Sequence, residues 1–296
     1  MPDCLTETAA MVALLRHGKH AWELYADLVE DAGSALAVLD EESDLDGRQA
    51  SLFGAETDAH LDTSRLEVEA WIASGLELLT ILDPGYPENL RAVHDRPPLV
   101  FVAGQLRSSD VRSIAVIGSR KATQRGLETA ATFAVELVSA GYTIVSGLAA
   151  GVDTAAHTAA LTASGRTVAV IGTGLRRFYP AENAALQREI ATKCAVVSQF
   201  WPDAPPSRRS FPMRNAVMSG MALATMIVEA GATSGARTQA RLALAHGRPV
   251  FLLSSLVSDQ PWAEKLAQHP GVHVVARPAE LIGAVERLTA TDALVP

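Results

Sequence analysis

The chain has little cysteine. Cys4 and Cys194 are the only two in 296 residues, and neither has Cys or His neighbours at metal-ligand spacing. That disfavours both a disulfide-stapled secreted fold and a zinc cluster, so the expectations are a reducing compartment and no metal. No uninterrupted apolar run reaches the roughly 18 residues that a membrane helix needs. The opening Met1-Pro2-Asp3-Cys4 begins neither a basic n-region nor an apolar h-region. Together these absences predict a cytoplasmic protein with no membrane partner. Nucleotide and hydrolase signatures are missing too. There is no G-x-x-x-x-G-K-[ST] and no G-x-S-x-G. Gly172-Thr173-Gly174 lacks a third glycine and runs on to Phe178-Tyr179-Pro180 instead of opening a helix. A P-loop ATPase, a dinucleotide enzyme and a serine hydrolase each lose their motif, so no catalytic residue and no cofactor is predicted.

What is present is an ordinary globular composition, 48% hydrophobic and 20% charged. The net charge of −8 argues at first against a nucleic-acid partner. It is unevenly spread: residues 1–109 carry −13, residues 110–215 carry +5 and residues 216–296 are neutral. A basic centre beside an acidic head fits a local anion site; chance variation between segments fits it equally.

From Arg112 onward, β-branched runs alternate with Ala-rich amphipathic stretches. The runs are 114–117, 143–145, 167–171, 195–197, 226–228, 249–253 and, weaker, 272–275. Near-continuous apolar runs of this kind are strands buried on both faces of a parallel sheet. Helices are expected at 126–140, 154–163, 183–192 and 236–246, with Gly141, Gly165 and Gly247 as left-handed C-caps. The fold class is therefore α/β: a Rossmann-like, doubly wound, mostly parallel sheet. Residues 1–75 read as a small helical module, with helices at 6–17, 21–31 and 64–74 and an acidic separator at 40–62. Residues 76–290 form the α/β domain, entered through strands at 78–82 and 99–103 around a turn at Pro84–Pro87.

Ligands of open α/β sheets sit at the carboxyl ends of the strands. Those ends carry Gly118-Ser119-Arg120, Ser146-Gly147, Gly172-Thr173-Gly174 and Ala232-Thr233-Ser234-Gly235. Any one such turn is a common feature of the fold. The set makes a phosphate-binding rim, because glycine lets the backbone approach a ligand and the following helix presents unpaired N–H groups. Arg120 has the position from which a guanidinium grips a phosphate, or alternatively pairs with a neighbouring helix. Asp153 reads as an N-cap, His157 as a structural histidine, and Glu229 as a residue that orients a loop or serves the core. The Pro-rich segment 200–215 brings Arg208, Arg209 and Arg214 near Trp201 and Phe211. That combination suits single-strand binding, and suits a solvated crossover loop as well.

Taken in series, these motifs resemble the DNA-processing protein A (DprA/Smf) family: G-S-R (118–120), S-G-L-A-A-G-V-D-T-A-A-H (146–157), G-T-G-L…Y-P…N…L (172–186), F-P-M-R-N (211–215), V-E-A…S-G-A-R-T (228–238) and G-R-P-V-F (247–251). Asp83-Pro84-Gly85-Tyr86-Pro87 and Pro97-Pro98-Leu99 are similar to the family's lead-in. The resemblance implies a homodimeric, non-enzymatic protein that binds single-stranded DNA, protects incoming DNA and loads the RecA recombinase during transformation. It also implies a DNA-contacting set of Gly118, Ser119, Arg120, Ser146, Gly147, Gly172, Gly174, Arg214 and Asn215.

The family's lysine after Tyr-Pro is here Ala181, which makes Arg176 and Arg177 the substitutes, with Arg208 and Arg209 as further contacts. The arginine usual after Asn215 is Ala216, and the chain ends at Pro296 where many members continue into a winged helix. A rival reading from another class is a sensor or processing enzyme for a nucleotide-derived small molecule. A phosphoribohydrolase fits less well, since P-G-G-x-G-T-x-x-E is missing.

Overall fold

The computed structural model describes residues 4–46 and 53–292. Four helices lead, α1 (Cys4–His17), α2 (Trp22–Ala32), α3 (Ala35–Asp46) and α4 (Phe53–Ala73). The acidic stretch expected to separate helices is thus largely helical itself, and its residues 47–52 lie outside the described residues. Strand β1 (Glu77–Thr80), the short helix α5 (Glu88–Arg91) and strand β2 (Leu99–Gly104) form the bridge. The α/β part then runs β3 (Ser113–Ile117), α6 (Gln124–Ser139), β4 (Thr143–Ser146), α7 (Val152–Thr162), β5 (Thr167–Val170), α8 (Ala184–Lys193) and β6 (Ala195–Ser198). It continues through α9 (Ser210–Met221), β7 (Ala224–Ile227), α10 (Gly235–Ala245), β8 (Val250–Leu253), α11 (Ser254–Asp259), α12 (Pro261–Leu266), β9 (Val272–Val275) and α13 (Pro278–Asp292).

All nine strands join one sheet in the order β1-β2-β6-β5-β4-β3-β7-β8-β9. β1 pairs antiparallel with β2, and β2 antiparallel with β6; from β6 to β9 every pair is parallel. Each of β3 to β8 is buried along its whole length, as β-branched runs without alternation require. Right-handed crossovers put α6, α7 and α8 on one face and α9 and α10 on the other. The mostly parallel, doubly wound architecture is the one expected. Among the described residues no helix is long and apolar enough to cross a membrane.

Two local expectations fail. The C-cap of α7 is not Gly165: Ser164 takes the left-handed conformation (φ 55°). Gly165 is instead held by contact, since a Cβ there would lie 2.2 Å from Val138. Segment 200–215 is not wholly a loop, because its last third is the first half of α9. Pro212 is tolerated there, in a first turn whose N–H groups have no intrahelical partner.

The helical head is fastened to the sheet by an aromatic cluster. Trp201 stacks on Trp71 at 5.7 Å and meets Trp22 and Phe101 edge-on at 5.4 and 6.0 Å, and the Arg16 guanidinium covers it at 4.3 Å. Trp201 is thereby a packing residue and not a surface on which a base stacks. Arg96 adds ion pairs to Asp27 (2.8 Å) and Glu30 (2.6 Å) of α2. Trp201→Ala should cost roughly 3 kcal/mol, as large-to-small aromatic substitutions do. Denaturant unfolding would measure the loss, and limited proteolysis should cut first in residues 4–75.

Candidate nucleic-acid interface

Strand order reverses at β3: the chain builds outward through β4, β5 and β6, then returns to β7 on the other flank. A reversal of this kind leaves a crevice at the carboxyl ends of the two central strands. Here that crevice is a cleft of about 480 Å³. Its mouth is the loop after β3, which is clamped on both sides. The Ser119 N–H donates to the Glu229 carbonyl (2.6 Å), and the Ser119 carbonyl accepts from the Val152 N–H (3.2 Å). Gly118 and Gly151 permit that closeness. A Cβ on Gly118 would lie 2.7 Å from the Glu229 carbonyl, and one on Gly151, at φ 82°, would lie 2.2 Å from the Ser119 carbonyl. The Glu229 carboxylate accepts from the Thr123 N–H (3.0 Å) and hydroxyl (2.6 Å), and Thr123 in turn caps α6 by accepting from the Gly126 N–H (3.1 Å). Glu229 therefore orients this loop.

Held this way, Arg120 is exposed, with its guanidinium 5.2 Å from the centre of the Phe211 ring. Among the described residues it makes no hydrogen bond or ion pair. Lys121 beside it is exposed as well. The opposite wall is the start of α10, where Thr233, Ser234, Gly235 and Ala236 line the cleft and the Ser234 hydroxyl accepts from the Ala236 N–H. A helix N-terminus adds positive potential to that wall.

Arg214 is 6% exposed and lies at the cleft floor. Its Nη1 is 3.4 Å from the Val170 carbonyl and 4.0 Å from Asp153 Oδ2, while its Nε is buried with no hydrogen-bond partner. Gly147 makes room for it, since a Cβ there would coincide with the guanidinium at 1.1 Å. Burial pushes the Asp153 carboxyl above the usual carboxylate range, and the Arg214 charge opposes that shift. Burial likewise lowers the Arg214 pKa, against the attraction of Asp153. Asp153 also accepts from the Ala149 N–H (3.3 Å). The N-cap of α7 is Gly151, so Asp153 is a cleft-floor partner of Arg214 and not the cap. His157 is buried deeper, with its Nδ1 2.7 Å from the Thr167 hydroxyl.

The structure gathers Gly118, Ser119, Arg120, Arg214 and Asn215 around one cleft. The other expected contacts lie elsewhere. The Ser146 hydroxyl is buried and donates to the Val116 carbonyl (2.7 Å). Gly147 backs Arg214, Gly172 packs against the Cδ1–Cε1 side of the Phe211 ring, and Gly174 packs on the backbone of Trp201 and Pro202. Arg176 is engaged by Asp203 (3.1 Å) and Ser74 (2.9 Å), and Arg177 donates to the Asp203 carbonyl (3.1 Å). Arg208 and Arg209 are exposed on the approach to α9, outside the cleft lining. Sequence reasoning left out Lys121 and the Asp153 partnership, and counted the Thr233–Gly235 turn without assigning it a contact. The lysine follows the arginine of the Gly-Ser-Arg turn directly, which was the available signal.

The family profile of DNA recombination-mediator protein A matches residues 77–287. Protein Smf of a Synechocystis strain is 33% identical over 74% of this chain and 55% of its own length. DNA processing protein DprA of a Streptococcus pneumoniae strain is 39% identical over 61% of this chain and 64% of its own length. The chain thus spans between about half and two thirds of these curated relatives. Among solved structures, DNA processing protein A from S. pneumoniae superposes with a TM-score of 0.75 and 28% identity, covering 96% of this chain and 98% of that one. DNA processing protein A from Helicobacter pylori, described for its single-stranded DNA binding mode, gives 0.63 and 26%, covering 72% of this chain and 96% of that one.

Two outcomes follow from the buried charges. Asp153→Ala should destabilise the fold by about 3–5 kcal/mol, because it strands a buried guanidinium; chemical denaturation reads this directly. Burial also holds His157 down at about 3, against 6.5 for a free imidazole. Between those values the unfolded chain binds a proton that the folded chain refuses, so this residue makes stability rise with pH by up to about 1.4 kcal/mol per unit. Asp153, shifted upward, works in the opposite sense as pH rises above the ordinary carboxylate range. Comparing unfolding of the wild type and His157→Gln across that window isolates the histidine, and the variant should show the shallower slope.

Proposed function

The chain belongs to the DNA recombination-mediator protein A family, and on that premise we propose that it holds single-stranded DNA in the β3–β7 cleft as a recombination mediator. The observation that carries the reading is Arg120: an exposed guanidinium with no ion pair among the described residues, on a clamped loop and facing a helix N-terminus over a buried arginine. Arg120 and Lys121 supply phosphate contacts, and the backbone N–H groups of the Gly118–Arg120 loop and of the α10 start supplement them. Phe211, with Arg120 already over its ring, offers a stacking face for a base. Affinity built from phosphates and stacking is tolerant of sequence, as a protein handling incoming strands requires.

The titratable side chains at the cleft are two exposed cations and the Arg214–Asp153 pair, whose carboxylate is neutralised by its neighbour. That set suits retention of an anion better than proton transfer, so the proposed role is non-enzymatic. In the full role the protein is a cytoplasmic homodimer that protects the strand and passes it to the RecA recombinase. Gly118, Ser119, Arg214 and Asn215 shape the site, and Arg208 and Arg209 extend its basic approach. Ser146, Gly147, Gly172 and Gly174 act behind it through packing.

Titration of a labelled oligothymidine by fluorescence anisotropy, across salt concentrations, tests the reading. Arg120→Ala should weaken binding regardless of sequence and reduce the salt slope by about 0.7, the value for one lost single-strand phosphate. Phe211→Ala should cost about 1–3 kcal/mol with the slope kept, the signature of a lost stack. Unchanged affinity in Arg120→Ala would remove the cleft from the proposal. A free mononucleotide that binds as tightly as the oligonucleotide would favour the small-molecule reading, which a cleft of about 480 Å³ can also accommodate.

A further inference from the structure

Just before β8 begins, at the end of α10, three potential ligand groups converge from distant parts of the sequence. His94 and Asp95 lie in the segment between α5 and β2, and His246 is the C-cap of α10. One ligand atom from each lies within 4.8 Å of the others. Asp95 Oδ1 is 2.7 Å from His246 Nε2, and the His94 ring meets the His246 ring edge-on at 5.4 Å. We propose that His94, Asp95 and His246 form a three-ligand site for a borderline divalent transition metal of the zinc type.

The strongest support is the far side of His246. Its Nδ1 is 2.9 Å from the Ser219 hydroxyl, and that hydroxyl is 3.1 Å from the Ala216 carbonyl. Ser219 has one proton. If the proton goes to Ala216, the serine oxygen accepts from the His246 Nδ1–H. The Nε2 lone pair then faces the Asp95 carboxylate across 2.7 Å, an arrangement that a cation shared between them would satisfy. A metal-binding imidazole has this arrangement, with one nitrogen on the metal and the other donating to a fixed neutral acceptor that sets the tautomer. Two imidazoles and one carboxylate match the donor preference of zinc-type ions. Exposed His94 leaves the fourth position open to water. Among the described residues, the ion pair that Asp95 makes is the one with His246. Closing the site requires His246 and Asp95 to part slightly and the exposed His94 to turn inward.

A metal here would pin the lead-in segment to the end of α10, and through Ser219 to α9, the helix that carries Arg214 and Asn215. Gln239, its amide oriented by its neighbours, links the same helices by donating to the Asn215 carbonyl (3.0 Å) and accepting from the Ser219 N–H (3.3 Å). The sequence hides the site because His246 is 151 residues from Asp95, so no local ligand spacing exists.

The test is titration of the chelator-treated full chain with Co²⁺, followed by visible absorption, and with Zn²⁺, followed by thermal unfolding. The expected result is one equivalent of Co²⁺ with an intense tetrahedral band, and a raised unfolding temperature with Zn²⁺. His94→Ala changes an exposed side chain, so the fold should survive and the band should disappear. Ser219→Ala keeps all three ligands and should weaken binding about 10–100-fold, the range for loss of an outer-shell partner. The stacked pair His17 and His60, with rings 3.8 Å apart, is a second pair of neighbouring imidazoles, so His60→Ala is the control and should leave the band intact. No tetrahedral band with no Zn²⁺-induced shift would overturn the proposal. So would a band that survives His94→Ala or vanishes in His60→Ala. In the first case the cluster is a hydrogen-bonded contact only.

Discussion

The cleft depends on one short contact, the Ser119 N–H on the Glu229 carbonyl at 2.6 Å. It ties the end of β3 to the end of β7 across the line where strand order reverses. Everything at the mouth is referred to it: Gly118 has no Cβ because that carbonyl occupies the space, and Gly151 is glycine because the loop presses back on α7. The Glu229 side chain repeats the tie one step further along, at Thr123 and through it α6. Main-chain hydrogen bonds hold the loop, so the side chain of Arg120 remains free for a ligand. This preorganisation reduces the ordering cost that binding a flexible strand would otherwise add.

The floor obeys a different logic. A buried Arg–Asp pair at 4.0 Å, with one guanidinium nitrogen unpartnered, is poor value as a stabilising interaction: desolvation of two ions commonly offsets their attraction. An apolar pair of equal volume would hold the helices as well. What the pair adds is a fixed positive charge beneath the cleft, partly neutralised and shielded from salt, because burial weakens screening. Exposed Arg120 and Lys121 lie at the mouth, where screening is strong and a phosphate contact would be reversible. Affinity that falls with salt at the mouth and field that persists at the floor are complementary properties for the proposed binding and release of a polyanion.

Much of this could be read in the residues, and the failures are specific. Strands buried on both faces announce themselves by unbroken β-branched runs, and the C-caps Gly141 and Gly247 do take positive φ as expected. The rule that ligands of such sheets sit at the carboxyl ends of the strands points to the Gly118–Arg120 turn, which lines the cleft. What the pattern could not separate was an arginine at the surface from one inside. Arg208, Arg209 and Arg214 look alike in a Pro-rich basic segment, yet only Arg214 is on the inward face of α9. The hint was remote in sequence, in Gly147, whose missing side chain leaves the space. Trp201 misleads for the same reason: an aromatic among arginines suggests base stacking until Trp22, Trp71 and Arg16 arrive from the head to cover it. Contacts between distant segments decide both cases, and a single sequence does not contain them.

The charge of the whole chain looks adverse to a DNA ligand, and geometry resolves the conflict. The acidic head, with −13 in residues 1–109, attaches at the β1–β2 end of the sheet. From β2 to β3 the order passes β6, β5 and β4. Four strand spacings of about 4.8 Å place that edge roughly 19 Å from the cleft. The Debye length at physiological salt is about 8 Å, so exposed carboxylates at that edge are more than two screening lengths from Arg120. Their repulsion is largely extinguished where the phosphate would sit, while Lys121 and the α10 N-terminus lie within one screening length. Net charge therefore describes how the molecule behaves as a solute, and the cleft is governed by the few charges that surround it.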